Sequence, residues 1–282
     1  MNSLTDVYKV SNGVGIPCLG YGTWQTPDGD VASESVKAAI DAGYRHIDCA
    51  AAYGNEISVG RGIKESGIPR EELFITSKLW NADRGYEKTL KAFEKTCSDL
   101  GVTYLDMYLI HWPANKKQFA NWEELNAETW RAMTELYKDG RIKIIGVCNF
   151  MPHHLDVLMK TEVKPMVDQI EFHPGIMWED TFAFCREHDI LIEAWGPLGT
   201  GRLISNETLK EIAAKYGKSV AQLCIRWCLQ HNTLPLAKSV TPSRIVENTK
   251  VFDFEISAED MAVIDAMRNV GGSGFHPDEA DW

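Results

Sequence analysis

The feature that most constrains this chain is an alternation that begins near Cys18 and continues to the last quarter: a short apolar run, then a stretch with helical spacing, repeatedly. The apolar runs are CLGYG, RHID, LFITSKL, LDMYLIH, IKIIGVCNF, VDQIE, ILIEAW and LPLAKS. Runs that are continuously apolar, rather than strictly alternating, suit strands covered on both faces. Between them lie helical patterns. Asp30 to Ala42 carries Val31, Val36, Ala39 and Ile40 before Gly43 stops it, and Glu56 to Ser66, Tyr86 to Leu100 and Trp122 to Lys138 follow. Roughly eight such units match an α/β fold of the closed (β/α)8 TIM barrel type, whose usual length is about 250 residues. An open doubly wound sheet is the rival. It usually carries a G-x-G-x-x-G turn after its first strand, and GYGTWQ lacks the third glycine.

Additions to the repeat are also visible. YKVSNGVGIP reads as an N-terminal β-hairpin around Asn12-Gly13. Val220 to Gln230 reads as a helix inserted before the last strand. Helices are expected from about Pro242 to Val251 and from Ala258 to Met267, the latter opened by Ser257 with Asp260 three residues on. The tail NVGGSGFHPDEADW is too rich in Gly, Pro and charge for a core element, and is expected to fold over a site mouth. Residues 1–282 read as a single barrel domain.

The charge balance, 29 Lys plus Arg against 40 Asp plus Glu, gives a net charge of -11, which repels nucleic acid and anionic membrane. There is no run of apolar residues long enough to span a bilayer, and MNSLTDVYKVSNG lacks the basic and apolar regions of a secretion signal. The seven cysteines are scattered without a CxxC, as expected of reduced thiols in a cytoplasmic protein. Cys224 and Cys228 share a helical face but have no ligand partners at metal spacing, so core packing explains them.

In a barrel, chemistry sits at the C-terminal ends of the strands. Three successive strands end in unusual residues: Asp48 in GYRHIDCAAAYGNE, with Tyr53 in the loop beyond it, Lys78 in ITSKLW, and His111 in LDMYLIHWP. Each alone has an ordinary explanation as a cap, a loop packer, a snorkelling chain or a core histidine. Together, an acid, a phenol, an amine and an imidazole at one mouth form a proton-transfer set. Hydride reduction of a carbonyl leaves negative charge on oxygen and needs a proton donor. A phenol titrates near about 10, and an adjacent ammonium lowers that value. Lys78 is placed to act so on Tyr53, Asp48 to pair the buried ammonium, and His111 to position the carbonyl.

The stretches GYRHIDCAAAYGNE, TSKLW, YLIHWP, GVCNF, QIEFHP, AWGPLG and AKSVTPSRIVEN together resemble, in order, the motifs of the aldo-keto reductase superfamily over nearly the whole chain. The resemblance implies a catalytic tetrad of Asp48, Tyr53, Lys78 and His111, and NADP(H) as cofactor. It implies that Asn149 and Gln169 hold the nicotinamide carboxamide and that Trp195 stacks on the ring, with Leu198 beside it. Lys238, Ser239 and Arg244 would grip the adenosine 2′-phosphate, with Glu247 and Asn248 near adenine. Three residues depart from the commonest pattern: Cys148 stands for a serine, Trp195 for a tyrosine and Ala237 for a proline. Loss of the serine hydroxyl is expected to loosen nicotinamide binding modestly, while an indole preserves stacking.

Trp24, Trp80 and Trp112, with His111, are expected to line the substrate pocket. The short loops and the tail are similar to the microbial branch of 2,5-diketo-gluconate reductases and prostaglandin F synthases. The expected substrate is a small carbonyl compound, an aldehyde, α-keto ester or diketone; a sugar acid would call for a further basic contact, for which His276 is the weak candidate. The expected assembly is a monomer or weak oligomer, with no nucleic-acid or membrane partner and no metal. Two rival functions are an NADPH-binding sensor without turnover, which would not need a proton donor, and an aldolase using Lys78 as a Schiff-base amine.

Overall fold

Eight parallel strands close into a barrel in the computed structural model, which describes residues 1–281. The chain opens with an antiparallel hairpin, β1 (Val7–Lys9) and β2 (Gly15–Pro17), whose turn places Gly13 at a φ of 84°. Tyr8 donates its hydroxyl proton to the Thr233 carbonyl, and Asn12 donates to that of Lys143. Both acceptors lie at strand starts, so the hairpin plugs the N-terminal end of the barrel.

The barrel strands are β3 (Gly20–Gly22), β4 (His46–Asp48), β5 (Phe74–Leu79), β6 (Leu105–Ile110), β7 (Ile142–Cys148), β8 (Val167–Glu171), β9 (Leu191–Trp195) and β10 (Leu234–Ala237). Their order around the barrel is their order in sequence, with β10 pairing back on β3. These are the eight apolar runs, buried on both faces as continuous hydrophobicity requires.

Alternate residues along each strand face inward, and here the inward set is partly polar. His46, Asp48, Thr76, Lys78, Gln169 and Glu193 are all buried and touch one another across the barrel axis. The apolar residues between them, such as Ile47, Ile75, Ile170 and Ile192, pack outward in the shell between strands and helices.

The helices are α1 (Asp30–Asp41), α2 (Glu56–Glu65), α3 (Tyr86–Leu100), α4 (Trp122–Lys138), α5 (Pro152–Leu158), α6 (Glu179–Glu187), α7 (Glu207–Lys215), α8 (Val220–Gln230), α9 (Pro242–Asn248) and α10 (Ala258–Asp265). One expectation is corrected. The helix from Val220 to Gln230 is not the insertion: nearly all of α8 is buried, and it packs on β10 and α9 as a barrel helix does. The additional helix between β9 and β10 is the shorter α7, which lies against α8 and the irregular 199–205 segment. Helical periodicity reports that a helix has a buried face, not which neighbour buries it.

Beyond α10 the tail crosses the C-terminal mouth of the barrel, as expected. Ser273 donates its backbone N–H to Glu171 Oε1 at 2.7 Å and its hydroxyl to Oε2 at 2.7 Å. Asn115 Nδ2 donates to the carbonyls of Pro277 and Ala280, and His153 Nε2 lies 2.9 Å from Asp278. His154 Nδ1 accepts the Met151 N–H, so the proton of its neutral ring sits on Nε2, facing Asp278. That histidine therefore presents a donor to the tail rather than a lone pair to a cation. No helix among the described residues is long and apolar enough to cross a membrane.

Candidate active site

The C-terminal mouth holds a cavity of about 880 Å³, between β3, β4, β7 to β10, the 199–205 segment, α9 and the tail. Its floor is set by where strands stop. Asp48 ends β4, and the chain then turns through a short 3-10 segment, Ala51–Tyr53, which swings the phenol back over the barrel. Lys78 is the penultimate residue of β5, and His111 follows β6 directly.

These four side chains form one cluster. Lys78 Nζ donates to Asp48 Oδ1 at 2.5 Å, to the Cys49 carbonyl at 3.0 Å and to the Tyr53 hydroxyl oxygen at 3.3 Å. His111 stands edge-on to Tyr53, with ring centroids 5.5 Å apart, and edge-on to Trp80 on its other side at 5.4 Å. Lys78 is wholly buried beneath the cavity, while Asp48, Tyr53 and His111 reach its wall.

Burial alone would depress the Lys78 ammonium; the charge of Asp48 foremost reverses this and holds it above its ordinary range. Burial pushes the Asp48 carboxyl up, and Lys78 and the amide of Gln169 offset only part of this, so the net shift is upward. For Tyr53, burial raises the phenol and Lys78 lowers it, with a net upward shift. This differs from the simple expectation of a lowered phenol, because desolvation of a phenolate outweighs one ammonium at 3.3 Å. The consequence is a hydroxyl that keeps its proton at neutral pH, as a donor must. His111 is pushed well below its usual value by burial and by Lys78, so the imidazole is neutral.

The two amides sit on the adjacent strands. Asn149 follows β7 at a φ of 61°, a left-handed conformation that asparagine tolerates better than most residues. Its Nδ2 donates to the His111 carbonyl at 3.1 Å, and its Oδ1 accepts the Trp195 indole N–H at 2.8 Å. Gln169 Nε2 donates to Asp48 Oδ2 at 3.0 Å and to Glu193 Oε2 at 2.6 Å. Both amide hydrogens of Gln169 are thus spent inward, which turns Oε1 toward the cavity. One hydrogen of Asn149 Nδ2 stays available. An acceptor on one side and a donor on the other are the complement of a primary carboxamide, so the donor set fits the nicotinamide group that the sequence implies. Cys148, the departure from serine, is fully buried and does not line the cavity.

Lys238 and Ser239 follow β10, and Arg244, Glu247 and Asn248 project from α9; all five line the cavity, as do Trp195, Leu198, Trp24, Trp80 and Trp112. Lys238 Nζ donates to the Gln25 carbonyl, and partial burial lowers its pKa. Neither Lys238 nor Arg244 is paired with a carboxylate among the described residues, which leaves both charges for an anionic group. Trp24 and Trp195 meet edge to face at 5.9 Å. His276 is exposed against Trp178 and does not line the cavity. Sequence reasoning missed Phe275, which closes the cavity from the tail against Trp112 at 6.2 Å, and the Thr200, Gly201 and Ile204 wall. The glycines of GPLGTG after β9 were the only local signal for that wall.

Fold and site together define a barrel with a hydroxyl beside a buried ammonium at the floor of a large cleft. Residues 18–269 match the family model described as "Aldo/keto reductase family". Glyoxal reductase of Bacillus subtilis is 52% identical over 278 residues, 98% of each chain. Methylglyoxal reductase of Escherichia coli is 40% identical over 276 residues, 97% of each. A variant of the protein Gox0644, crystallised in complex with NADPH, superposes with a TM-score of 0.90 at 40% identity and 99% coverage of both chains. The chain belongs to the aldo/keto reductase family. It is an oxidoreductase acting on carbonyl groups.

Proposed function

We propose that this protein reduces small aldehydes and ketones, α-dicarbonyls foremost, with NADPH, using Tyr53 as the general acid. The observation that carries the reading is Lys78 Nζ held between Asp48 at 2.5 Å and the Tyr53 hydroxyl at 3.3 Å, beneath a cavity that Tyr53 faces. The bound cofactor supplies a hydride to the carbonyl carbon. Tyr53 gives its proton to the carbonyl oxygen, and Lys78 stabilises the phenolate left behind. His111, neutral, donates a hydrogen bond to the same oxygen and places it beside Tyr53. Gln169 and Asn149 hold the carboxamide and so select which ring face meets the substrate. Lys238, Ser239 and Arg244 bind the 2′-phosphate, which favours NADPH over NADH.

The substrate class follows from the lining. Trp24, Trp80, Trp112 and Phe275 make the outer wall apolar, and its two cations, Lys238 and Arg244, lie on the β10 and α9 side. Among the described residues, a carboxylate substrate has no cation to meet near Tyr53 other than the committed Lys78. The names of the Bacillus and Escherichia relatives support small dicarbonyls. We take residues 1–282 as one barrel domain, monomeric or weakly associated and cytoplasmic. The test is NADPH consumption with glyoxal, methylglyoxal and a keto sugar acid, run beside NADH. Turnover of the first two with NADPH preferred is expected. Tight NADPH binding without turnover of any carbonyl would contradict the proposal.

A further inference from the structure

Beneath the cavity, one buried acid takes no part in the chemistry described above. Glu193 lies in the middle of β9, within the apolar run ILIEAW, fully buried and outside the cavity lining. Its Oε2 accepts from Gln169 Nε2 at 2.6 Å. Its Oε1 faces His46 Nε2 at 3.6 Å, beyond hydrogen-bond range, while that nitrogen bonds Thr76 Oγ1 at 2.9 Å. A carboxyl in this place costs more than a hydrocarbon would, since a buried polar group without full pairing is unfavourable. Packing alone therefore does not account for it.

What Glu193 adds is a second point of attachment. An amide held by one hydrogen, as Gln169 would be by Asp48 alone at 3.0 Å, can swing about that bond. Held by both hydrogens, its plane is fixed and Oε1 has a single direction. We propose that Glu193 is a positioning residue for cofactor binding: together with Asp48 it grips both amide hydrogens of Gln169 and aims Gln169 Oε1 at the carboxamide N–H of the nicotinamide. The inference rests on the reading that Gln169 faces that carboxamide. The environment suits an acceptor without a charge: burial first, and then Asp48, push the Glu193 carboxyl up to about 8, and the neighbouring His46 is held neutral, pushed by burial down to about 3. A neutral acid still offers its carbonyl oxygen to Gln169, and adds no second negative charge beside Asp48.

The test compares two cofactors, NADP and its 3-acetylpyridine analogue, in which a methyl group replaces the amide nitrogen. Their dissociation constants are measured by quenching of tryptophan fluorescence. The wild-type protein is expected to prefer the carboxamide by roughly tenfold, the worth of one hydrogen bond. In Glu193→Met, close in shape but without the acceptor, the preference is expected to fall below about threefold. Glu193→Gln keeps a carbonyl oxygen at the same reach and is expected to restore it. Should the Met variant fail to fold, Glu193→Asp withdraws the acceptor by one methylene and carries the same expected loss. A Met or Asp variant that keeps the full preference, or a Gln variant that loses it as Met does, overturns the role of Glu193. A wild-type protein that binds both cofactors equally overturns the placement of Gln169 as well, and so separates the two failures.

Discussion

At the scale of residues, the site works by opposing burial against charge. Tyr53 and His111 are both kept neutral by burial, while the Lys78 ammonium is held by Asp48, 2.5 Å away. Lys78→Met is therefore expected to lower turnover by a factor of roughly a hundred or more, since it removes the charge that stabilises phenolate and leaves Asp48 buried and unpaired. Steady-state kinetics with cofactor saturating would show it. At the other end of the cleft, Lys238→Ala is expected to cut the preference for NADPH over NADH by roughly tenfold, the worth of a charge-assisted hydrogen bond. The ratio of the two KM values checks this. Buried acids also set a pH dependence of stability. Glu56 bonds Ser77 and Thr96 in the shell outside β5, and burial pushes its carboxyl from 4.5 up to about 7. An acid whose pKa rises on folding binds its proton more tightly in the folded state. Its contribution is fully present below the unfolded value and is lost as pH rises through about 7. Glu56→Gln is thus expected to flatten the decline in unfolding midpoint between about pH 4.5 and about pH 7, relative to wild type measured alongside.

At the scale of elements, the strands were legible because a parallel strand covered on both faces is a continuous apolar run, and all eight runs became barrel strands. The residues of the candidate site at their ends stood out for the same reason: Asp48, Lys78 and His111 interrupt or close runs that are otherwise apolar. What could not be read was anything that depends on which elements meet. Helices α5, α6 and α7, of 7 to 9 residues, were not located in the sequence. The role of α8 was misassigned because periodicity shows a buried face without showing that β10 and α9 are what bury it. Glu193 sits inside an apolar run, and only the closed barrel shows that it faces Gln169. Close approach between strands is equally invisible in sequence. Gly146 in β7 has the Val167 carbonyl oxygen 2.5 Å from where a Cβ would stand, and that backbone cannot yield without disturbing β8. Gly146→Ala is expected to destabilise the fold by about 1–3 kcal/mol, seen as a lower guanidinium midpoint.

At the scale of the whole molecule, a barrel floor built from successive strands is joined to a cover that comes from outside the repeat. The tail is tied down at Glu171, Asn115 and His153 and brings Phe275 to the cavity. Asn115→Ala removes two hydrogen bonds to the tail, to Pro277 and Ala280. It is expected to raise KM for the carbonyl substrate severalfold while leaving the dissociation constant of NADPH nearly unchanged, because the residues proposed to hold the cofactor lie on or just after β7 to β10 and on α9. Equal weakening of both would show instead that the tail supports the whole cleft. The proposed mechanism turns on Tyr53 giving up its proton. The most direct measurement is single-turnover reduction of methylglyoxal by the Tyr53→Phe variant preloaded with NADPH, with cofactor affinity measured on the same sample. The expected result is unchanged NADPH affinity with the chemical step slowed by at least about a thousandfold, near the upper range of general acid catalysis. Reduction at the wild-type rate in that variant would contradict the mechanism.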